Sequence, residues 1–232
     1  MSANITLNVA DGTQMAAYTA RPKKAAAGPA PGVMVFQEAF GVNAHIRGVA
    51  DRLAGLGYVA AAPELYHRTA PGFEGDYTNF TSAMPHMKAM TPERLDDDIR
   101  ATHAWLVAQG CARVVAVGFC MGGRIAVQAA ATLPLAAAVS FYGGNLPSLE
   151  SRVPQLASPL LLVWGDQDTH IPPAVRAQFA GALRAHKKPF VECTFSAAGH
   201  GFFCDQRASY HAPSARLAWG LLTDFLAHPM SV

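Results

Sequence analysis

The sequence predicts an α/β fold: a mostly parallel eight-stranded sheet with helices on both faces. Three observations carry that prediction. Short, continuously apolar runs recur from Val33 onward, each bounded by turn-forming residues and each too short for a helix. Between them lie longer stretches with apolar residues at helical spacing, the alternation expected of parallel strands joined by crossover helices. The start of the chain differs, because Ile5-Thr6-Leu7-Asn8-Val9 alternates, Asp11-Gly12 marks a turn and Met15-Ala16-Ala17-Tyr18-Thr19 resumes, which reads as a β-hairpin.

A Pro/Ala/Gly/Lys loop follows from Arg21 to Pro31. The buried strands are then expected at Val33–Phe36, Tyr58–Ala62, Arg113–Gly118, Ala136–Phe141, Leu160–Trp164 and Phe190–Phe195; with the hairpin they make eight. Amphipathic helices are expected at Asn43–Leu56, Pro173–His186 and Ala212–Ala227, and another where Thr91 serves as N-cap to Pro92, with Leu95, Ile99 and Leu106 on its apolar face. Asp96-Asp97-Asp98 near its start suits the helix dipole and reads as a solvated acidic face, not a metal site. No repeat or linker interrupts the pattern, so residues 1–232 are expected to form a single domain.

Composition narrows the function. The chain is 51% hydrophobic and 15% charged, enough to build a sizeable core, and its 18 basic residues are scattered around a net charge of +2. Nucleic acid is therefore not an expected partner. Met1-Ser2-Ala3-Asn4-Ile5-Thr6 lacks a basic segment followed by an apolar one, and no apolar run approaches the roughly 18 residues that span a bilayer, so a cytoplasmic location without membrane association is expected. Cys111, Cys120, Cys193 and Cys204 lack metal-ligand spacing and read as free thiols. Neither a metal nor a cofactor is expected.

Cys120 stands out among the four. Val114-Val115-Ala116-Val117-Gly118-Phe119-Cys120-Met121-Gly122-Gly123 is a strand ending in Gly-x-Cys-x-Gly-Gly, the pattern of a nucleophile elbow with a thiol in the serine position. Glycines two residues either side permit the close backbone approach that such a turn demands. The helix beginning after it, carried by Arg124-Ile125-Ala126-Val127, points its N-terminus at the thiol and favours thiolate.

An elbow needs partners downstream in the order acid, then histidine. Leu160-Leu161-Leu162-Val163-Trp164 runs into Gly165-Asp166-Gln167-Asp168, and Asp168 falls where the acid belongs, with Asp166 as its competitor. Phe190–Phe195 leads into Ser196-Ala197-Ala198-Gly199-His200-Gly201, and His200 is the histidine flanked by glycine on both sides at a strand exit. The other eight histidines sit mostly in helical or loop contexts where a surface imidazole is ordinary. In parallel sheets functional groups gather beyond the carboxyl ends of the strands, so these loops converge.

With these residues in view, the chain resembles the dienelactone hydrolase (carboxymethylenebutenolidase-like) family of the α/β-hydrolase fold. The likeness covers nearly the whole length. It rests on Gln37-Glu38-Ala39-Phe40-Gly41-Val42-Asn43, Ala62-Pro63-Glu64-Leu65-Tyr66 with Arg68, the Gly-Phe-Cys-Met-Gly-Gly elbow, Gly-Asp-Gln-Asp and Gly-His-Gly-Phe. The resemblance implies that Glu38 holds and deprotonates Cys120 when substrate arrives, that His200 and Asp168 complete the triad, that the amides of Met121 and Ala39 form the oxyanion hole, and that Arg68 meets a substrate carboxylate. One position departs from the family's pattern: an arginine expected four residues after the histidine is Cys204, with Arg207 three residues further.

The expected function is a cysteine-dependent hydrolase of small, in some cases anionic, lactones or esters. Two rivals stay open: a general carboxylesterase or thioesterase of the same fold, and a non-catalytic relative that binds ligand or senses oxidants through Cys120.

Overall fold

The computed structural model describes residues 1–23 and 28–229. Eight strands form one sheet: β1 Ser2–Asn8, β2 Gln14–Ala20, β3 Gly32–Phe36, β4 Val59–Pro63, β5 Val114–Phe119, β6 Ala137–Phe141, β7 Leu160–Gly165 and β8 Phe190–Phe195, in the order β1-β2-β4-β3-β5-β6-β7-β8. The expected elements are all present within a few residues. Part of the expected loop at Arg21–Pro31, residues 24–27, lies outside the described residues. The chain divides into two compact units, Met1–Val115 and Ala116–Val232.

In the first unit, β1 and β2 pair antiparallel through the Asp11-Gly12 turn, β2 pairs antiparallel with β4, and β4 lies parallel to β3. Helix α1, Ala44–Gly55, starts where the Asn43 side chain accepts the Ile46 amide at 3.3 Å, and it buries Ile46, Val49, Ala50 and Leu53. A short α2, Met84–Ala89, follows a 3-10 turn; α3, Pro92–Ala108, has Thr91 as its cap, accepting the Arg94 amide at 3.3 Å. No periodic apolar signal marks α2 in the sequence, which accords with its burying none of its residues.

In the second unit, α4 (Met121–Thr132) follows β5, α5 (Pro173–Ala185) follows β7, and α6 (Ala212–Ala227) closes the described chain. Strands β6, β7 and β8 run parallel, with Phe141 opposite Val163 and Gly165 opposite Phe195. Strands β5, β6 and β7 are buried along their whole length. Strand β8 corrects the sequence expectation, since Glu192 and Thr194 are exposed and the rest of it only half-buried. It is an edge strand, and an edge strand of this kind alternates because one side faces water.

Register places the site. Because β7 and β8 end level, the loops that leave them emerge side by side, and Asp166 and Gln167 donate backbone hydrogen bonds to Phe195 and Ala198 at 3.0 and 2.9 Å. The Cys120 amide donates to the Phe141 carbonyl at 3.0 Å, and the Tyr142 amide to Val163 at 2.8 Å. Four strand exits of the second unit are thus stitched together by main-chain bonds.

Candidate active site

Cys120 adopts φ 54° and ψ −119°, a conformation that L-residues avoid, at the junction of β5 and α4. The glycines around it are there for space. A Cβ on Gly118 would overlap the Gly122 carbonyl, and one on Gly123 would lie 2.8 Å from Gly143 Cα and from the Phe141 oxygen. The thiol is partly exposed, whereas Cys111 and Cys204 are buried.

His200 lies between two partners. Its Nδ1 is 2.8 Å from Asp168 Oδ2, and its ring is hydrogen-bonded to the Cys120 thiol. Burial disfavours the imidazolium, but Asp168 and Cys120 together outweigh burial and hold the histidine above its usual range. Asp168 is buried, and its carboxyl nevertheless stays below the usual carboxylate range, because His200 and the amides of His170 and Ile171 bond to it. Those amides, at 2.8 and 3.2 Å, occupy Oδ1 and leave Oδ2 to the imidazole. Asp166 turns elsewhere, to Arg176 Nη2 at 3.0 Å.

Two residues that sequence reasoning passed over pack on the imidazole. The Tyr142 ring lies 5.1 Å from that of His200 and the His170 ring 5.2 Å, the latter edge to face. Tyr142 sits at φ 37° where β6 ends, so this wall is built on strained backbone.

In the first unit, Glu38 and Ala39 follow β3 and are wholly buried. Their loop is pinned from the β4 side: the Leu65 amide donates to Gln37 Oε1 at 3.2 Å, and Tyr66 Oη donates to the Ala39 carbonyl at 3.0 Å. Gly41 makes the turn at φ 81°, where any Cβ would overlap the Phe73 carbonyl. Phe40 stacks edge-on against Tyr77 with ring centroids 4.7 Å apart.

Arg68 is engaged within the first unit: its Nη1 and Nη2 donate to Asp98 at 2.9 and 2.8 Å, and its Nε donates to Asp11 at 2.7 Å. Asp98 is fully buried, so the acidic run is not wholly a solvated face. Burial raises the Asp98 carboxyl to about 6 even against the pull of Arg68. His67 is buried beside it, 3.8 Å from Asp98, and bonds Thr13 Oγ1 and the Glu64 carbonyl, both at 3.1 Å. His45 is buried as well, so two of the histidines expected at the surface are interior.

The model of the dienelactone hydrolase family matches residues 15–230. The chain belongs to the dienelactone hydrolase family. Among its relatives, a Synechocystis protein provisionally named a carboxymethylenebutenolidase is 39% identical, over 89% of this chain and 88% of its own length. A Klebsiella pneumoniae structure, provisionally named a dienelactone hydrolase, superposes with a TM-score of 0.86 at 34% identity, covering 98% of this chain and 99% of its own. A dienelactone hydrolase-like promiscuous phosphotriesterase from metagenomic libraries gives 0.85 at 26% identity over 97% and 98%. As a dienelactone hydrolase relative with an α/β-hydrolase fold, the chain is a hydrolase of ester or lactone bonds. No helix among the described residues is long and apolar enough to cross a membrane.

Proposed function

We propose that this dienelactone hydrolase relative cleaves small esters or lactones through a cysteine nucleophile, with Cys120, His200 and Asp168 as its triad and residues 1–232 working as one domain. The observation that carries the reading is the position of His200, hydrogen-bonded to both Asp168 and the Cys120 thiol. A scaffold that merely bound ligand or sensed oxidants has no need of a buried acid oriented toward that imidazole.

The Cys120 sulfur attacks the substrate carbonyl, and the resulting oxyanion is met by the amides of Met121 and Ala39. Protonated His200 gives its proton to the departing alkoxide, which leaves an acyl thioester on Cys120. His200, now neutral, takes a proton from water; the hydroxide attacks the thioester, and the thiolate departs. Asp168 fixes the ring throughout. Glu38, a fully buried side chain in the loop that carries Ala39, is the proposed acceptor of the thiol proton when substrate enters, and it returns that proton to the thiolate released in the last step. The scheme uses side chains and two main-chain amides of the chain, together with water.

The engagement of Arg68 by Asp98 and Asp11 favours the general esterase reading on one point, because a substrate carboxylate would have to break that network to reach it. Four free cysteines agree with a reducing, cytoplasmic setting. The test is a panel of aryl esters and lactones with mass detection of acylated Cys120. Turnover with a trapped thioester on Cys120 is the expected result; turnover that survives in folded Cys120→Ala overturns the proposal.

A further inference from the structure

His170 touches both the acid and the base of the proposed triad. Its backbone amide donates to Asp168 Oδ1 at 2.8 Å, and its ring meets that of His200 at 5.2 Å between centroids, edge to face, with the planes 79° apart. It lies in the loop after β7 and is exposed. Exposure separates it from Tyr142, which packs on the same imidazole but is wholly buried.

An imidazole needs such neighbours to hold a direction. The torsion that turns the ring about its bond to Cβ has broad wells, so the side chain alone does not choose an orientation. One bond from Nδ1 to Asp168 Oδ2, at 2.8 Å, fixes a point and leaves the ring free to swing about it. In the resting enzyme the second point is the Cys120 thiol. That point is lost in the acyl-enzyme, where the sulfur is tied into a thioester, has no proton to share and accepts only weakly. From then until water has attacked, His200 keeps its aim through Asp168 and the rings packed on it. A swing of the imidazole breaks the edge-to-face contact with His170, and ring pairs of this kind carry a free-energy preference of their own.

We propose that His170 is a positioning residue for deacylation, its ring holding His200 in line with the attacking water while Cys120 carries the acyl group. The inference rests on Cys120 being the nucleophile, as proposed above. In that step His200 takes a proton from water, the water oxygen bonds to the acyl carbon, and the carbon–sulfur bond breaks with its electron pair left on sulfur. His170 neither gives nor takes a proton. Acylation depends less on its ring, since the sulfur still holds the imidazole when substrate arrives.

The test uses an activated aryl ester, whose leaving group departs readily, with acyl-Cys120 followed by mass after acid quench both during turnover and once the ester is exhausted. In His170→Ala the amide bond to Asp168 survives and an exposed side chain is removed, so the fold is expected to hold. Deacylation should slow roughly two- to tenfold, the range to which an aromatic pair contact converts. Acyl-Cys120 then accumulates, and kcat and KM fall together while kcat/KM stays near the wild-type value. His170→Phe restores a flat ring and should recover most of the rate. His170→Gln, polar and ringless, repeats the test should the alanine variant fold poorly. An unchanged deacylation rate in the ringless variants, an equal fall in kcat and kcat/KM, or a phenylalanine variant as slow as the alanine one overturns the proposal. Acyl-Cys120 that decays at the wild-type rate in every variant removes the role of His170 and leaves the hydrolase reading; turnover with no acyl group on Cys120 in any of the proteins removes the nucleophile, and this role with it.

Discussion

Arg68 and Asp98 form a two-pronged ion pair, Nη1 to Oδ2 at 2.9 Å and Nη2 to Oδ1 at 2.8 Å, that fastens the segment after β4 to the buried face of α3. Its third donor reaches Asp11 in the β1–β2 turn, so three separated stretches of the first unit meet at one guanidinium.

Arg68→Ala is therefore a stability variant. Leaving Asp98 buried without its partner should cost about 3–5 kcal/mol at neutral pH. Urea unfolding measures this, and the preference for an acid over its methyl ester should be unaffected. A selectivity change without a shift in midpoint would restore the substrate role expected from the sequence.

Asp98 gives that network a pH signature. Its folded carboxyl titrates near 6 against an ordinary value of 3.8, so between those values the native chain holds a proton the unfolded chain has released. Stability from this group is then present below about pH 4 and falls as pH rises through 6. Asp98→Asn should flatten that slope in a series of unfolding curves; an unaltered slope would assign it to other groups.

Cys120→Ala should fold normally and lose turnover, since the elbow accepts a small side chain and the proposed scheme has no second nucleophile. Cys120→Ser should be greatly impaired, because a hydroxyl ionises far less readily than a thiol and Glu38 is a weak base for it. Circular dichroism and steady-state rates on one aryl ester cover both variants.

Asp168→Asn keeps the loop but presents the imidazole with the wrong partner, and kcat should drop by roughly 10⁴, as in serine triads. Asp166→Asn should do much less, given its bond to Arg176. The reverse ranking would make Asp166 the acid.

Glu38→Gln removes the proposed proton acceptor with little change of shape. Pre-steady-state acylation should slow while the fold is retained, and slow most for carboxylate-bearing substrates. An unaltered acylation rate would leave Glu38 as a buried loop residue alone.

The strands were legible because they obey a local rule, continuous apolar runs for β3 to β7, and the residues of the proposed triad were singled out by glycine spacing around Cys120 and by a glycine on each side of His200. The Arg68–Asp98 pair was not, because pairing across 30 positions leaves no local trace. A partial signal did exist. Asp98 lies three residues after Leu95 and one before Ile99, and with Thr102 it falls on the buried face of α3, where an acid must find a cation. Tyr142 and His170 contact His200 through tertiary packing alone, which no spacing rule anticipates.

The left-handed backbone at Cys120 also limits which chemistry this scaffold can acquire. A residue at φ 54° tolerates one unbranched heavy atom beyond Cβ far better than two. Threonine is thereby disfavoured at this position, whatever base stands opposite. Along any mutational route that keeps the turn, the sulfur of the proposed nucleophile can be exchanged for the oxygen of serine and little else, so new activities on this framework must come from the walls around position 120.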